Sequence, residues 1–150
     1  MKRTAIILFI AGCCGTTTPT VWKGQRMHVK ADAGAQARWK VENAEAMLKE
    51  LDAAEAKALA LVPPEKRAEV KALRDKLVIR IYSNQYDCSG AAGTYDGNGG
   101  VCVSWFEKYV DERRLSRLPA HEFGHGVANI LGIYGNESIH DWMKDVEWGY

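Results

Sequence analysis

Between Leu118 and Val127 the chain reads LPAHEFGHGV. His121 and His125 stand four apart, so a helix stacks them on one face, one turn from each other. Leu118, Phe123, Val127, Ile130 and Leu131 give that helix an apolar face for a core. Ser116 suits the N-cap, Pro119 falls in the first turn where its missing N–H costs nothing, and Gly132 suits the end. The spacing predicts a helix from Arg117 to about Leu131. Two imidazoles placed this way reach one tetrahedral zinc ion. Glu122, beside the first, is placed to polarise a zinc-bound water. The chain has only four His in 150 residues, so the pattern is poorly explained by chance.

A chain of this length builds one domain with a real core. The formal net charge is +1, which argues neither for nucleic acid nor for a strongly acidic partner. The first fifteen residues, MKRTAIILFIAGCCG, differ from the rest. Lys2 and Arg3 precede an apolar run from Ala5 to Ala11 that is too short for a membrane span. The run ends in IAGC, which resembles the lipobox of bacterial lipoproteins. That resemblance implies removal of residues 1–12, lipidation of Cys13, and anchoring to a membrane outside the cytoplasm. An exported chain meets an oxidising compartment, so Cys88 and Cys102, flanking a glycine-rich loop, read as a disulfide. Cys14 is left without an account.

Residues 13–34 are polar and read as a tether, with a short strand near Val21–Trp22. From Ala35 to Val62, Val41, Ala44, Leu48, Leu51, Ala58 and Val62 keep helical spacing, with Glu45 and Lys49 as a favourable pair. Glu55 interrupts that apolar seam. Pro63 and Pro64 end the helix, and Pro64 suits the first turn of another running to about Lys76. LVIRIYS (Leu77 to Ser83) reads as a central strand and VCVSW (Val101 to Trp105) as a second. The five-glycine segment between them reads as a long hairpin connection pinned by the disulfide. It lacks the lysine of a phosphate-binding loop.

From Leu77 to Tyr150 the order strand, strand, HEFGH helix, C-terminal helix resembles the zincin superfamily of metallopeptidases. The resemblance implies an α+β fold with a zincin-like catalytic core over residues 35–150. Long N-terminal helices would pack on a small sheet. It also implies a rim strand that binds extended substrate through its backbone, which here would be Val101, Cys102, Val103 and Ser104. His121 and His125 would be zinc ligands, and Glu122 the general base and then acid.

The third ligand stays open between two readings of GNESIHDWMKDVEW. Glu137 with Asp141 four residues on resembles the gluzincin pattern, in which the aspartate supports a zinc-bound histidine. His140 resembles the third histidine of SprT-like proteases, which opens the next helix after a similar gap. Ser138 would cap that helix with Asp141 completing a capping box, His140 would flank its apolar face, and Glu137 would lie before the cap. His140 is the first choice and Glu137 the next, with Asp141 or Asp145 behind them. Tyr134, Tyr150 and Tyr109 are candidates to stabilise an oxyanion. The function implied is a zinc endopeptidase of the cell envelope that cuts peptides or proteins, with room for a partner to complete a small cleft. The alternative is a non-catalytic envelope lipoprotein of the same fold. A closed structural zinc site using both His140 and Glu137 is a third.

Overall fold

The computed structural model describes residues 18–84, 88–105 and 110–148. The expectations for the leader 1–12, for Cys13 and Cys14, and for Tyr109 and Tyr150 lie outside the described residues. No helix among them is long and apolar enough to cross a membrane. The fold is mixed α+β, with five strands in one sheet and five α-helices among the described residues.

The strands are β1 (Thr20–Lys23), β2 (His28–Ala31), β3 (Val78–Tyr82), β4 (Gly93–Tyr95) and β5 (Gly100–Ser104). Their order across the sheet is β1-β2-β3-β5-β4. β2, β3 and β5 run parallel, and each outer strand, β1 and β4, is antiparallel to its neighbour. Period-two alternation sets the two faces. Val29, Ile79 and Val101 share one register row, and Ala31, Ile81 and Val103 another. All six are fully buried, whereas the alternating His28, Lys30, Arg80 and Cys102 are only half-buried.

This sheet corrects two expectations. β1 contains the short strand expected near Val21–Trp22, but it is no isolated piece of a tether: it pairs with β2, a second strand whose polar neighbours hide it in a composition reading. The connection from β3 to β5 is not a hairpin, because those strands are parallel. The chain instead crosses to the far edge, lays down β4, and returns through a tight turn. In that turn Asp96 Oδ1 accepts from the backbone N–H groups of Asn98 and Gly100 at 2.7 and 2.8 Å.

The helices are α1 (Ala33–Arg38), α2 (Val41–Leu61), α3 (Arg67–Asp75), α4 (Glu112–Ile130) and α5 (Asn136–Asp145). The helix expected from Ala35 to Val62 is therefore two. Asp32 caps α1 by accepting from Ala35 N–H. Trp39 and Lys40 turn extended, and Asn43 Oδ1 accepts from Lys40 N–H to restart the chain as α2. The two prolines end α2 as expected, with a 3-10 turn at Pro64–Lys66 leading into α3. Glu55 sits in the α2 seam because Arg26 reaches it with a charged hydrogen bond. α1 packs on β2 and β3, α4 on β4 and β5, and α2 lies along α4.

Cys88 and Cys102 form a disulfide. The loop it closes contains β4, so the bond ties the edge strand to β5. Closing a loop of 14 residues stabilises by about 3 kcal/mol through the unfolded chain. Cys88→Ser with Cys102→Ser is expected to lower the urea midpoint by that amount of stability, and reduction of the native protein should do the same.

Candidate metal centre

α4 starts earlier than its sequence suggests. Asp111, not Ser116, is the N-cap, accepting from Arg114 N–H at 2.7 Å. Pro119 therefore lies inside the helix rather than in its first turn. Leu115, Leu118 and Phe123 anchor both sides of it in the core. At the far end Ile133 N–H donates to Ala128 C=O and Gly132 N–H to Asn129 C=O, a Schellman stop. Between these ends α4 holds His121, Glu122 and His125 rigidly.

α5 also differs at its start. Gly135 precedes the first turn, so Glu137 and Ser138 are helical rather than loop and cap. That places His140 well inside the helix, beside buried Ile139 and one turn before buried Met143. Gly124 lets α5 approach α4 between the two histidines. A Cβ there would stand 2.5 Å from both Met143 Cε and Trp148 Nε1. Trp148 closes the seam by donating its Nε1–H to Ala120 C=O at 3.1 Å.

The three histidines converge. Nε2 of His121 lies 3.3 Å from Nε2 of His125 and 3.4 Å from Nε2 of His140. Nitrogens bound at about 2.0–2.1 Å to one tetrahedral ion lie about 3.3–3.4 Å apart. The His125 and His140 rings stand edge to face, 4.9 Å between centroids. A hydrogen bond between two imidazoles uses one ring N–H, so three nitrogens aimed at one point cannot all satisfy each other. A cation at that point would satisfy all three. His121, His125 and His140 thus form a group that could hold a metal ion.

The electrostatics favour the ligating form. Burial, then the neighbouring His125 and His140, pushes His121 down to about 4. Burial, then His140, does the same to His125, also to about 4. Both rings are therefore neutral at pH 7, as a ligand must be. Glu122 is 4% exposed, and burial raises its carboxyl to about 7. A Cβ on Gly93 would meet Glu122 Oε1 at 2.6 Å, so the missing side chain is what admits the carboxylate against β4.

Two grooves meet at this point, of about 550 and about 640 Å³, both lined by Gly93, His121 and Glu122. The strand beside them is β4. The expected rim strand, Val101 to Ser104, is paired on both edges, by β3 and by β4, and Val101, Val103 and Ser104 are buried. It has no edge to offer. Ala92 C=O and Asp96 N–H bond to β5. Alternation then turns the backbone groups of Gly93 and Tyr95 toward the unpaired side. A three-residue strand inside a glycine-rich run carries too little alternation to be legible. The Gly-Thr-Tyr step is its only sequence signal.

Glu137 and Asp141 are exposed and lie outside the histidine group. Asp141 instead pairs with Lys144 at 3.1 Å. Asp145 and Glu147 are solvent-facing too, and Tyr134 is 69% exposed. Comparison with known protein families, with curated proteins and with solved structures gave no significant match.

Proposed function

We propose that this protein is a zinc metallopeptidase of zincin type. Its support is one arrangement: three converging imidazole nitrogens, with the His121 nitrogen at tetrahedral spacing from the other two, beside a buried carboxylate that abuts the edge strand β4. Three nitrogen ligands with a further position open to a groove suit catalytic zinc, which supplies Lewis acidity and acidifies a bound water. His121, His125 and His140 would hold it. Glu122, poised near pH 7, takes the proton from the attacking water and returns it to the leaving nitrogen as the C–N bond breaks. The outward backbone groups of Gly93 and Tyr95 take an extended peptide as an added strand, which draws it across Glu122. Attachment through acylated Cys13 would set this chemistry outside the cytoplasm.

A closed structural site is less well supported, since Glu137 lies away from the histidines. The non-catalytic reading and the peptidase reading part on activity. The test uses the full chain purified in detergent without chelator. One zinc per chain is expected, together with casein cleavage that a chelator abolishes and zinc restores. No bound metal would end the reading, and bound zinc without cleavage of any peptide pool would leave a binding module.

Gly93→Ala offers a sharper probe. Its Cβ would stand 2.6 Å from Glu122 Oε1 and 3.3 Å from Leu118 Cδ2, with no histidine among its three nearest atoms. Zinc content should be unchanged while kcat/KM falls by about tenfold or more, in line with a misplaced base.

A further inference from the structure

The face of α4 that carries the histidines continues toward its N-terminus as arginines. Arg113, Arg117, His121 and His125 follow at four-residue steps, each about 6 Å further along the helix. Arg113, Arg114 and Arg117 line the groove of about 550 Å³ that ends at His121 and Glu122. Among the described residues its lining carboxylates are Asp111, which caps the helix, and Glu122, and Arg114 already makes an interaction of its own. Glu50 approaches Arg117 from outside, Oε1 to Nε at 3.8 Å, with both side chains more than a third exposed. Among the described residues, the second groove, on the far side of the metal centre, is lined by no arginine or lysine. The cleft is basic in one arm only.

We propose that the arginine arm binds carboxylates of the substrate and makes this enzyme selective for acidic peptides. The inference rests on the peptidase reading. An extended chain rises about 3.3 Å per residue, so Arg117 falls about two residues from the cleaved bond and Arg113 about four. Gly93 meets Glu122 and Tyr95 packs beside Gly126, so β4 runs in the same direction as α4. A peptide added antiparallel to β4 then lays its C-terminal part in the arginine arm. Guanidinium groups pair with carboxylates two-pronged, and a basic groove raises the rate of acidic encounter. A nucleic acid would need positive charge along the whole track, and here it stops at the metal centre. The carboxylate comes from acidic side chains or from the peptide's own C-terminus.

The test is fluorescence-anisotropy binding to the zinc-loaded full chain carrying Glu122→Gln, which keeps the peptides intact. The probes are ten-residue alanine-based peptides with Glu or Gln at four positions in the C-terminal half, each with a free or an amidated C-terminus. Glu over Gln is expected to tighten binding by about fivefold or more at low salt, fading as salt rises. Tighter binding of Glu than of Gln peptides assigns side chains, and tighter binding of free than of amidated Gln peptides assigns the terminus. Arg113→Gln with Arg117→Gln should bring the ratio to near one, and Arg113→Glu alone should lower it. Equal binding of all four peptides overturns the proposal, as does a single-stranded oligonucleotide of equal charge binding as tightly as the Glu peptide. Cleavage of the same peptides by the unsubstituted chain is scored separately. Selective binding without cleavage upholds the arm and removes the peptidase reading, while unselective cleavage does the reverse.

Discussion

Glu122→Gln is expected to abolish cleavage while making the metal-free protein more stable. Loss of the group that moves the proton costs about 10²–10⁴ in kcat, with zinc content retained. The stability gain follows from linkage. The folded carboxyl titrates at about 7, against 4.5 for an ordinary glutamate. The folded state therefore holds the proton more tightly, and stability is lost as pH rises between those values. Above pH 7 the penalty reaches about 3 kcal/mol, and glutamine does not incur it. Below pH 4.5 variant and parent should coincide. The histidines act on the other side. His121 and His125 titrate at about 4 when folded, against 6.5 for an ordinary histidine, so the unfolded chain takes up protons first as pH falls through that window. Through most of that window the two histidines outweigh the one carboxyl, so urea titrations of the metal-free protein should show stability rising from pH 4 to about 7 and levelling above it. Glu122→Gln should steepen that rise, because it removes the one group that opposes it. A variant that is no more stable at pH 8 would contradict the burial assigned to Glu122.

The second large effect concerns the third ligand. His140→Ala should weaken zinc binding by about two orders of magnitude or more, since loss of even a supporting group beyond the ligands costs 10–100-fold. Glu137→Ala should change it by less than about twofold. Competition against a chromophoric chelator reads both. Gly124→Val should reproduce much of the His140→Ala loss without touching a ligand, because its side chain collides with Met143 and Trp148 and pushes α5 away. Equal losses in His140→Ala and Glu137→Ala would mean that α5 sits differently from the packing described here.

His121 and His125 are legible in the sequence because helical spacing alone sets them on one side. His140 stands out from Glu137 by flanking the Ile139 and Met143 face, and the structure brings it to the other two rings. The cap expected at the start of α5 does not form, since Ser138 and Glu137 are both helical. The start of α4 is hidden because Pro119 suggests a first turn. Tertiary burial of Leu115 and Leu118 carries the helix through it. The edge strand is too short to see, and β5 takes its place in the sequence because an interior strand has the stronger β pattern. Gly93 and Gly124 act by what they lack, which no pattern of side chains reveals. The arginine arm is concealed by a net charge of +1, which averages over faces that the fold separates.

α5 is fastened to the body of the protein by little more than the α4 seam. Ile139, Met143 and Trp148 supply its buried contacts, and His140 would add a bond through the ion. In the metal-free protein this helix then has a small opening free energy, and its amides should exchange with deuterium well before those of α2 or β3. Loading zinc should slow α5 most. Scarcity of metal would thus do more than silence the centre: it would loosen α5 and offer that helix to any protease nearby.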